Sequence, residues 1–201
     1  MSSHGPQHFQ RIYAASEDPW NYRNSDYERA KRDAAIKALA RRRFRSGLEV
    51  GCSIGRLTHR LADCCDQLLG VDFIDKALAA ARVTCGKQPW VSFRNVQVPR
   101  GWPEGQFDLI VLSEVLYFLS SEDSLSLVAL CKHSLAADGV ILLVNWLDKS
   151  PDDPCSGDEA ALRFIDTSRD WLTVGFHQST ERYRLDRLET LISSASAKMT
   201  S

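Results

Sequence analysis

The stretch Leu48-Glu49-Val50-Gly51-Cys52-Ser53-Ile54-Gly55 decides the fold of this chain. An apolar segment runs into a turn bracketed by two glycines, a helical stretch follows, and a second apolar segment, Leu68-Leu69-Gly70-Val71-Asp72, ends in a carboxylate. This order is typical of a βαβ unit that holds a ribose. The glycines let the backbone approach a ligand closely, and Asp72 can accept hydrogen bonds from both ribose hydroxyls. The sequence therefore predicts an adenosine-binding edge.

The spacing of the glycines narrows the choice of cofactor. A dinucleotide site has the pattern G-x-G-x-x-G and an ATP-type loop has G-x-x-x-x-G-K-[ST], whereas this chain has G-x-x-x-G followed by Arg56 and Leu57. An NAD-type site and an unliganded turn are the weaker alternatives. The form E-x-G-x-x-x-G, with an acidic residue ending the next strand, resembles motifs I and II of the class I S-adenosylmethionine-dependent methyltransferases. The resemblance implies S-adenosylmethionine as cofactor and methyl transfer as the activity.

Length and charge limit the other classes of function. The chain has 201 residues and a formal net charge of −1, which fits one α/β domain without a basic field for nucleic acid. No apolar run approaches the length of a membrane-spanning helix and the N-terminus lacks a signal-peptide pattern, so we expect no transmembrane segment and a cytoplasmic location. The cysteines form no C-x-x-C pair, and only His4 and His8 have the spacing of a helical metal site. We expect no metal.

Strands alternate with amphipathic helices, which predicts a mainly parallel sheet covered on both faces. Two last strands should form an antiparallel hairpin at the sheet edge. We expect Asp75 to cap the second helix of the core and Asp138-Gly139 to end the third. The predicted fold class is α/β, a Rossmann-like class I methyltransferase fold with a seven-stranded mainly parallel sheet, an antiparallel C-terminal strand and an N-terminal helical cap. The expected strands are 47–51, 68–72, 91–94, 107–113, 140–146, 171–178 and 182–188, and the expected core helices are 55–64, 75–85 and 122–135.

The chain is expected to form a single domain over 1–201. Within it we predict an N-terminal helical lid at 8–44, a Rossmann-like core at 45–190 and a flexible tail at 191–201. The lid segment holds a helical run at 25–39 and four aromatic residues. These aromatics either close the ligand site from solvent or anchor an N-terminal helix on the sheet. They are Tyr13, Trp20, Tyr22 and Tyr27.

Three blocks of the chain, between Tyr13 and about Leu147, resemble the NodS-like family of nodulation-type N-methyltransferases. The first block has Asp18-Pro19-Trp20 and then Tyr27-Glu28, with basic Arg29 and Lys31 beside it. The second block is Leu48-Glu49-Val50-Gly51-Cys52. The third block runs from Phe107-Asp108-Leu109-Ile110-Val111 into Ser113-Glu114-Val115-Leu116-Tyr117-Phe118-Leu119. The resemblance implies N-methylation of the free amine of a de-N-acetylated chitooligosaccharide.

The predicted cofactor site gathers residues from the ends of the first four strands. Asp72 is assigned to the ribose, Phe73 and Ile74 to one adenine face, and Gln97 with Val98, where the family has Asp-Ile, to the adenine edge. The glycine loop and its supports are assigned to the methionine part. Those residues are Gly51, Cys52, Ser53, Gly55, Ser113 and Glu49, which either orients the glycine loop by accepting hydrogen bonds or has a purely structural role. The resemblance adds Tyr13, Trp20 and Lys31 near the cofactor carboxylate and sulfonium.

The acceptor is expected at the end of the fourth and fifth strands. Glu114 and Tyr117 are the candidate catalytic residues, because a carboxylate or a phenol can orient an amine or take its proton. The alternatives are a solvated strand-end acid for Glu114 and plain packing for Tyr117. Tyr22, Asn145 and Trp146 complete the predicted small-molecule acceptor site, and plain core or edge packing is the alternative for Trp146. An O-methyltransferase and a non-catalytic cofactor-binding subunit are the competing functions.

Overall fold

The computed structural model describes residues 2–191 of the chain. Within this range, seven strands form one sheet and six α-helices surround it. The strands are β1 Phe44–Val50, β2 Cys65–Asp72, β3 Val91–Asn95, β4 Phe107–Ser113, β5 Leu135–Trp146, β6 Leu172–Ser179 and β7 Tyr183–Thr190. The helices are α1 Pro6–Ala15, α2 Asp26–Ala38, α3 Arg56–Leu61, α4 Asp75–Thr84, α5 Ser121–Ser134 and α6 Gly157–Ser168.

The strands are arranged in the order β3-β2-β1-β4-β5-β7-β6. Strands β1 to β5 are mutually parallel, and β7 pairs antiparallel with both β5 and β6. The predicted class I methyltransferase fold, with its N-terminal helical cap and antiparallel C-terminal strand, is confirmed. The strand order reverses between β1 and β4, and open α/β sheets bind ligands outside the carboxyl ends of the strands at such a point.

Strand β4 shows why the centre of the sheet is stable. Its apolar side chains alternate between the two faces, and both faces are buried. Leu109 and Val111 belong to the cluster beneath α2 and α3, whereas Ile110 and Leu112 belong to the cluster beneath α5 and α6. The continuous apolar run of β4 is therefore that of a central parallel strand, as the sequence predicts.

The sequence did not reveal α6, which covers the β5 side of the sheet. Its start is marked by a capping box: the Ser156 side chain accepts from the Glu159 backbone N–H, and the Glu159 carboxylate accepts from the Ser156 N–H. Ala160, Ala161 and Phe164 then provide the buried face. The motif S-x-x-E followed by this apolar spacing was the available signal.

Two predicted helix boundaries are wrong. Asp138 and Gly139 do not end a helix, because α5 stops at Ser134 and both residues lie inside β5. Asp75 is the first residue of α4 rather than its cap, since Ile74 holds the N-cap position and the Asp75 carboxylate accepts from the Asn95 side chain instead. Both errors arise because tertiary pairing overrides local signals at the ends of elements.

The N-terminal cap has two differently placed helices. In α2, which begins after the N-cap Ser25, Ala35 and Ala38 pack on the sheet with the cluster that contains β4. In α1, Phe9 and Tyr13 pack over the loops that follow β1 and β2. One helix is thus anchored on the sheet, and the other lies across its ligand-binding edge.

Within residues 2–191, no helix is long and apolar enough to cross a membrane. Apart from Leu191, the predicted tail at 191–201 lies outside the described residues.

Gly157 is expected to be essential for stability, because a Cβ at this position would lie 1.7 Å from the Trp146 carbonyl oxygen. We expect Gly157→Ala to lower the free energy of unfolding by about 2 kcal/mol or more. Gly86→Ala is the matched control, since the Cβ there would meet its nearest atoms at 3.4 Å. Urea denaturation measures both variants, and equal stability of the two would contradict this account.

Candidate functional site

A cavity of about 1300 Å³ lies at the carboxyl ends of β1, β2, β4 and β5. Its floor is formed by the glycine loop, the end of β2 and the segment after β4. Its cover comes from α1, the segment between α1 and α2, and the beginning of α2. Sequence-predicted residues on its walls are Tyr13, Trp20, Tyr22, Lys31, Gly51, Ser53, Asp72, Phe73, Ile74, Gln97, Val98, Ser113, Glu114, Tyr117 and Trp146.

The glycine loop is shaped by close contact between strands. Gly51 has φ +81°, and a Cβ on it would lie 2.5 Å from the Ser113 carbonyl oxygen. Ser53 also has a positive φ, +46°, and its N–H donates to the Asp72 carboxylate at 2.9 Å. The loop backbone therefore turns towards the cavity, and only glycine fits at position 51.

Asp72 is held in a geometry suited to a vicinal diol. One carboxylate oxygen accepts from Ser53 N–H at 2.9 Å and the other from Ile74 N–H at 3.0 Å. Each oxygen retains a lone pair for a further donor. Burial raises the pKa of Asp72, and the backbone hydrogen bonds partly oppose this shift by stabilising the carboxylate.

The cover over Asp72 is aromatic and is tied to the loop. The Tyr13 hydroxyl lies 2.6 Å from the Ser53 hydroxyl, and Lys76 of α4 donates to the Tyr13 carbonyl oxygen at 3.0 Å. The Tyr13 and Trp20 rings make an edge contact with centroids 5.5 Å apart. Burial raises the pKa of the Tyr13 phenol, so it is a neutral hydrogen-bonding group. Tyr13 is thus buried at 3% exposure, whereas Trp20 on its outer side is 37% exposed.

Glu114 is the most constrained side chain of the site. Its φ is +56°, a region that non-glycine residues rarely adopt. One carboxylate oxygen accepts from the Lys31 ammonium at 2.5 Å, and the other accepts from the Tyr117 hydroxyl at 2.7 Å and from the Trp146 N–H at 2.9 Å. The backbone strain is thus maintained by three hydrogen bonds from three different segments.

Lys31 lies between two carboxylates, those of Glu28 and Glu114. Its ammonium donates to Glu28 at 3.0 Å as well as to Glu114. The Lys31 side chain is 5% exposed, that of Glu28 is 9% exposed and that of Glu114 is 12% exposed. Burial lowers the pKa of Lys31, but attraction to Glu114 and Glu28 outweighs it, so the pKa is raised overall. Lys31 therefore joins α2 to the end of β4.

Four predicted residues are set back from the main cavity. Glu49 and Cys52 line a small side cavity behind the glycine loop, and Gly55 packs against Ala81 of α4. Asn145 is fully buried and, among residues 2–191, is not part of the wall of either cavity. These residues support the site from behind.

Sequence reasoning missed several residues on the cavity walls. Tyr27 was predicted as a lid aromatic and Glu28 as part of a family block, but neither was predicted as a binding residue. Arg182, whose guanidinium stacks 3.7 Å from the Tyr27 ring centroid, gave no signal. The His4 Nε2 atom and the Asp153 Oδ1 atom, 3.1 Å apart, bridge the N-terminal segment and the loop before α6.

Within residues 2–191, no group of three or more histidine, cysteine or acidic side chains is arranged to hold a metal ion.

The fold is shared with solved methyltransferase structures. The fold is that of the class I methyltransferases. One structure with this fold is N-methyltransferase NodS from Bradyrhizobium japonicum WM9, solved in complex with S-adenosyl-L-homocysteine. The match covers 92% of this chain and 97% of that chain, at 23% sequence identity and a TM-score of 0.81. A proposed methyltransferase from Pseudomonas syringae is 31% identical, with a TM-score of 0.71, over 81% of this chain and 98% of its own.

The sequence comparison identifies the family. The family model of Nodulation protein S (NodS) matches residues 3–145, and this chain belongs to that family. Nodulation protein S of Bradyrhizobium diazoefficiens is 38% identical over 107 residues, which are 52% of this chain and 51% of that protein. The protein of Rhizobium tropici is 36% identical over 107 residues, 52% of this chain and 44% of its own. The chain spans about half the length of the curated relatives it matches.

Removing the Lys31 ammonium should be strongly destabilising, because it would leave Glu28 and Glu114 buried without a cation. We expect Lys31→Met to lower the free energy of unfolding by about 3–5 kcal/mol at neutral pH. Arg29→Met on the same helix, where the side chain is 62% exposed, should change it by less than about 0.5 kcal/mol. Denaturant unfolding measures the free energy of unfolding of both variants. If Lys31→Met lowered it by as little as Arg29→Met does, the ion pairs of Lys31 with Glu28 and Glu114 would not stabilise the fold as argued.

Burial of Glu49 should make stability depend on pH. Burial raises the pKa of Glu49 to about 7, from about 4.5 in the unfolded chain. Between these values the folded state binds more protons, so the Glu49 contribution to stability falls as pH rises. The stability of Glu49→Gln relative to the wild type should therefore rise by up to about 3 kcal/mol between pH 4.5 and 7 and then level off. Thermal unfolding at a series of pH values measures this, and Glu104→Gln, at an exposed loop position, serves as the control. If the stability of both variants changed with pH in the same way, Glu49 would not have the raised pKa.

Proposed function

We propose that this protein is an S-adenosylmethionine-dependent methyltransferase that methylates the nitrogen of a small amine. Asp72 carries the proposal, because its oxygens are fixed by Ser53 and Ile74 beside a glycine loop and each can still accept a hydrogen bond. The large cavity has room for an adenosine and an acceptor together. Membership of the NodS family supports the same cofactor and activity.

The residues present fit the cofactor part by part. Asp72 would hold the ribose hydroxyls, Phe73 and Ile74 would cover an adenine face, and Gln97 with Val98 would border its polar edge. The backbone at Gly51 would approach the methionine part, because no Cβ intervenes. When bound, S-adenosylmethionine supplies an electrophilic methyl group on a sulfonium.

The acceptor site would lie beneath Tyr22, Tyr117 and Trp146, beyond the glycine loop. The Tyr117 hydroxyl donates its proton to Glu114, so its oxygen lone pairs are directed to other donors, such as an amine N–H. Burial raises the pKa of both Tyr22 and Tyr117 well above the ordinary value, and both phenols stay neutral. The site therefore orients a neutral amine by hydrogen bonds and excludes water.

Glu114 is proposed to position the acceptor rather than to take its proton directly. Its Oε2 atom already accepts two hydrogen bonds, from the Tyr117 hydroxyl and the Trp146 N–H, and its Oε1 atom accepts one from the Lys31 ammonium. A proton released from the methylated amine would have a path to Glu114 through the Tyr117 hydroxyl. An amino sugar or a de-N-acetylated chitooligosaccharide is the acceptor class that the family supports, and the aromatic face of Trp146 would suit a pyranose ring.

Calorimetric titration with S-adenosylhomocysteine tests the cofactor assignment, with NAD as the comparison ligand. We expect micromolar or tighter binding of the thioether, none of NAD, and a loss of roughly tenfold or more in Asp72→Asn, because a charge-assisted pair of hydrogen bonds is lost. Asp75→Asn is the matched control, since this carboxylate accepts from Asn95. Failure of the wild type to bind would favour a non-catalytic role.

Methyl transfer to nitrogen is tested with labelled S-adenosylmethionine and a panel of amino sugars and their N-acetylated counterparts. The free amines should be methylated and the acetamides should not, and the rate should fall at low pH as the amine becomes protonated. Label on a hydroxyl or a carboxylate of the product, with no loss of rate at low pH, would instead identify an O-methyltransferase.

A further inference from the structure

Arg182 is an exposed cation on the wall of the main cavity, in the turn between β6 and β7. It directly precedes Tyr183, which pairs with Trp146 in the register of β5 and β7. The Arg182 carbonyl oxygen accepts from the Leu147 N–H at 3.0 Å and from the Tyr27 hydroxyl at 3.3 Å. The backbone of Arg182 is thus fixed beside Trp146, at the acceptor end of the cavity.

The Tyr27 ring orients the Arg182 guanidinium. The Cζ atom of Arg182 lies 3.7 Å from the ring centroid, which is a stacking distance. Stacking covers a face of the guanidinium and leaves the N–H donors along its edge available. Among residues 2–191 this guanidinium forms no ion pair and donates no hydrogen bond. Arg182 therefore offers an oriented fork of donors, which suits a carboxylate or a phosphate.

The other lysine and arginine on the cavity wall have different surroundings. The Lys31 ammonium already donates to Glu28 and Glu114. Arg100 belongs to the segment after β3 that also holds Gln97, the residue assigned to the adenine edge. In the part of the chain that the structure describes, Arg182 is therefore the basic side chain without a carboxylate partner at the acceptor end of the wall.

Most carboxylates of the wall lie on the other face of the sheet. Tyr27 and Tyr183 pack with the cluster beneath α2 and α3. Outside the ion triad and Asp72, the acidic residues of the wall belong to the start of α5 and to the loop before α6, which cover the opposite face. They are Glu122, Asp123, Asp152 and Asp153. An anion at Arg182 would therefore meet the Tyr27 side of the cavity, where the Lys31 ammonium lies 5.0 Å from the same ring centroid.

The order of the strands sets the distance between Arg182 and the reacting amine. Glu114 directly follows β4, Arg182 directly precedes β7, and β5 lies between these strands. Two strand spacings are roughly 10 Å at the backbone. An acceptor that reaches both Tyr117 and Arg182 would carry its anionic group several bonds from its amine. This spacing suits an amino sugar with an anionic group across the ring better than an α-amino acid, whose charged groups share one carbon atom.

We propose that Arg182, positioned by Tyr27, binds an anionic group of the acceptor, a phosphate or a carboxylate several bonds from the amine. The inference rests on the proposed function, and it narrows the acceptor from amino sugars in general to those that carry a negative charge. Arg182 lies beyond residues 3–145, which the NodS family model matches, so the inference depends on the structure of this chain and not on the family match.

Calorimetry on the complex with S-adenosylhomocysteine tests the inference without turnover. The probes are glucosamine, glucosamine 6-phosphate and 2-amino-2-deoxyglucuronic acid, which share the amine and differ in the group on the sixth carbon. The wild type should bind the phosphate or the carboxylate roughly fivefold or more tightly than glucosamine, because a fork of charge-assisted hydrogen bonds has about this effect at a solvent-accessible site. The tighter of the two anionic probes identifies the anion. Equal affinity for all three probes, or no binding of any, would overturn the inference, whereas no binding of S-adenosylhomocysteine would overturn the proposed function.

Substitutions of the two wall arginines locate the anion. Arg182→Gln should reduce the preference to less than about twofold and leave the affinity for glucosamine within about twofold. Arg182→Lys, which keeps the charge but lacks the planar fork, should retain part of the preference. Arg100→Gln is the matched control, since it removes a cation from the same wall at the adenine end and should keep the full preference. A preference lost in Arg100→Gln and kept in Arg182→Gln would contradict the assignment.

Tyr27 variants and thermal unfolding separate positioning from a structural role. Tyr27→Phe keeps the stacked ring and should keep the preference, whereas Tyr27→Leu removes the ring and should lower the preference towards that of Arg182→Gln. Loss of one exposed stacking contact should lower the Tm of ligand-free Arg182→Gln by no more than about 4 °C. A folded Arg182→Gln that has a lower Tm but the wild-type preference would assign the stack to stability alone and refute the proposal.

Discussion

The Glu114 carboxylate joins the parts of the site that come from distant segments of the chain. Through Lys31 it holds the N-terminal helix α2, through Tyr117 the turn after β4, and through the Trp146 N–H the end of β5. A residue with φ +56° is kept in place only because these bonds surround it. If this carboxylate were absent, the cap, the acceptor wall and the sheet edge would lose their common anchor.

One cluster of charged side chains joins the two cavities. Glu28, Lys31 and Glu114 line both the main cavity and the side cavity behind the glycine loop. The side cavity adds Arg32, Arg56 and Glu49 to this triad, so its walls carry three carboxylates and three basic side chains. A change of charge in one cavity therefore acts on the other through the Lys31 ammonium and its two carboxylate partners.

The local sequence pattern was sufficient to predict the strands of the sheet, but it did not predict all the helices that cover the sheet. The run Phe107-Asp108-Leu109-Ile110-Val111-Leu112-Ser113 is a strand with the predicted bounds, because an apolar run buried on both faces has few alternatives. Helix α6 was missed although Ser156 and Glu159 form a capping box, since two of the three apolar residues on its buried face are alanines, whose hydrophobic signal is weak. The limits around Asp75 and Asp138 were wrong because pairing with Asn95 and with β4 decides them.

The sequence by itself determined the α/β class, the glycine loop and the placing of Asp72, because close backbone approach requires glycine and a strand-end carboxylate follows its strand at a fixed offset. Only the tertiary structure decided the partners of Lys31, the position of Arg32 and Arg56 on the wall of the side cavity, and the burial of Asn145. These depend on contacts between α2, β4 and α3, which lie far apart in the chain. Side-chain pairing across such distances has no period or spacing in the sequence, so packing alone selects it.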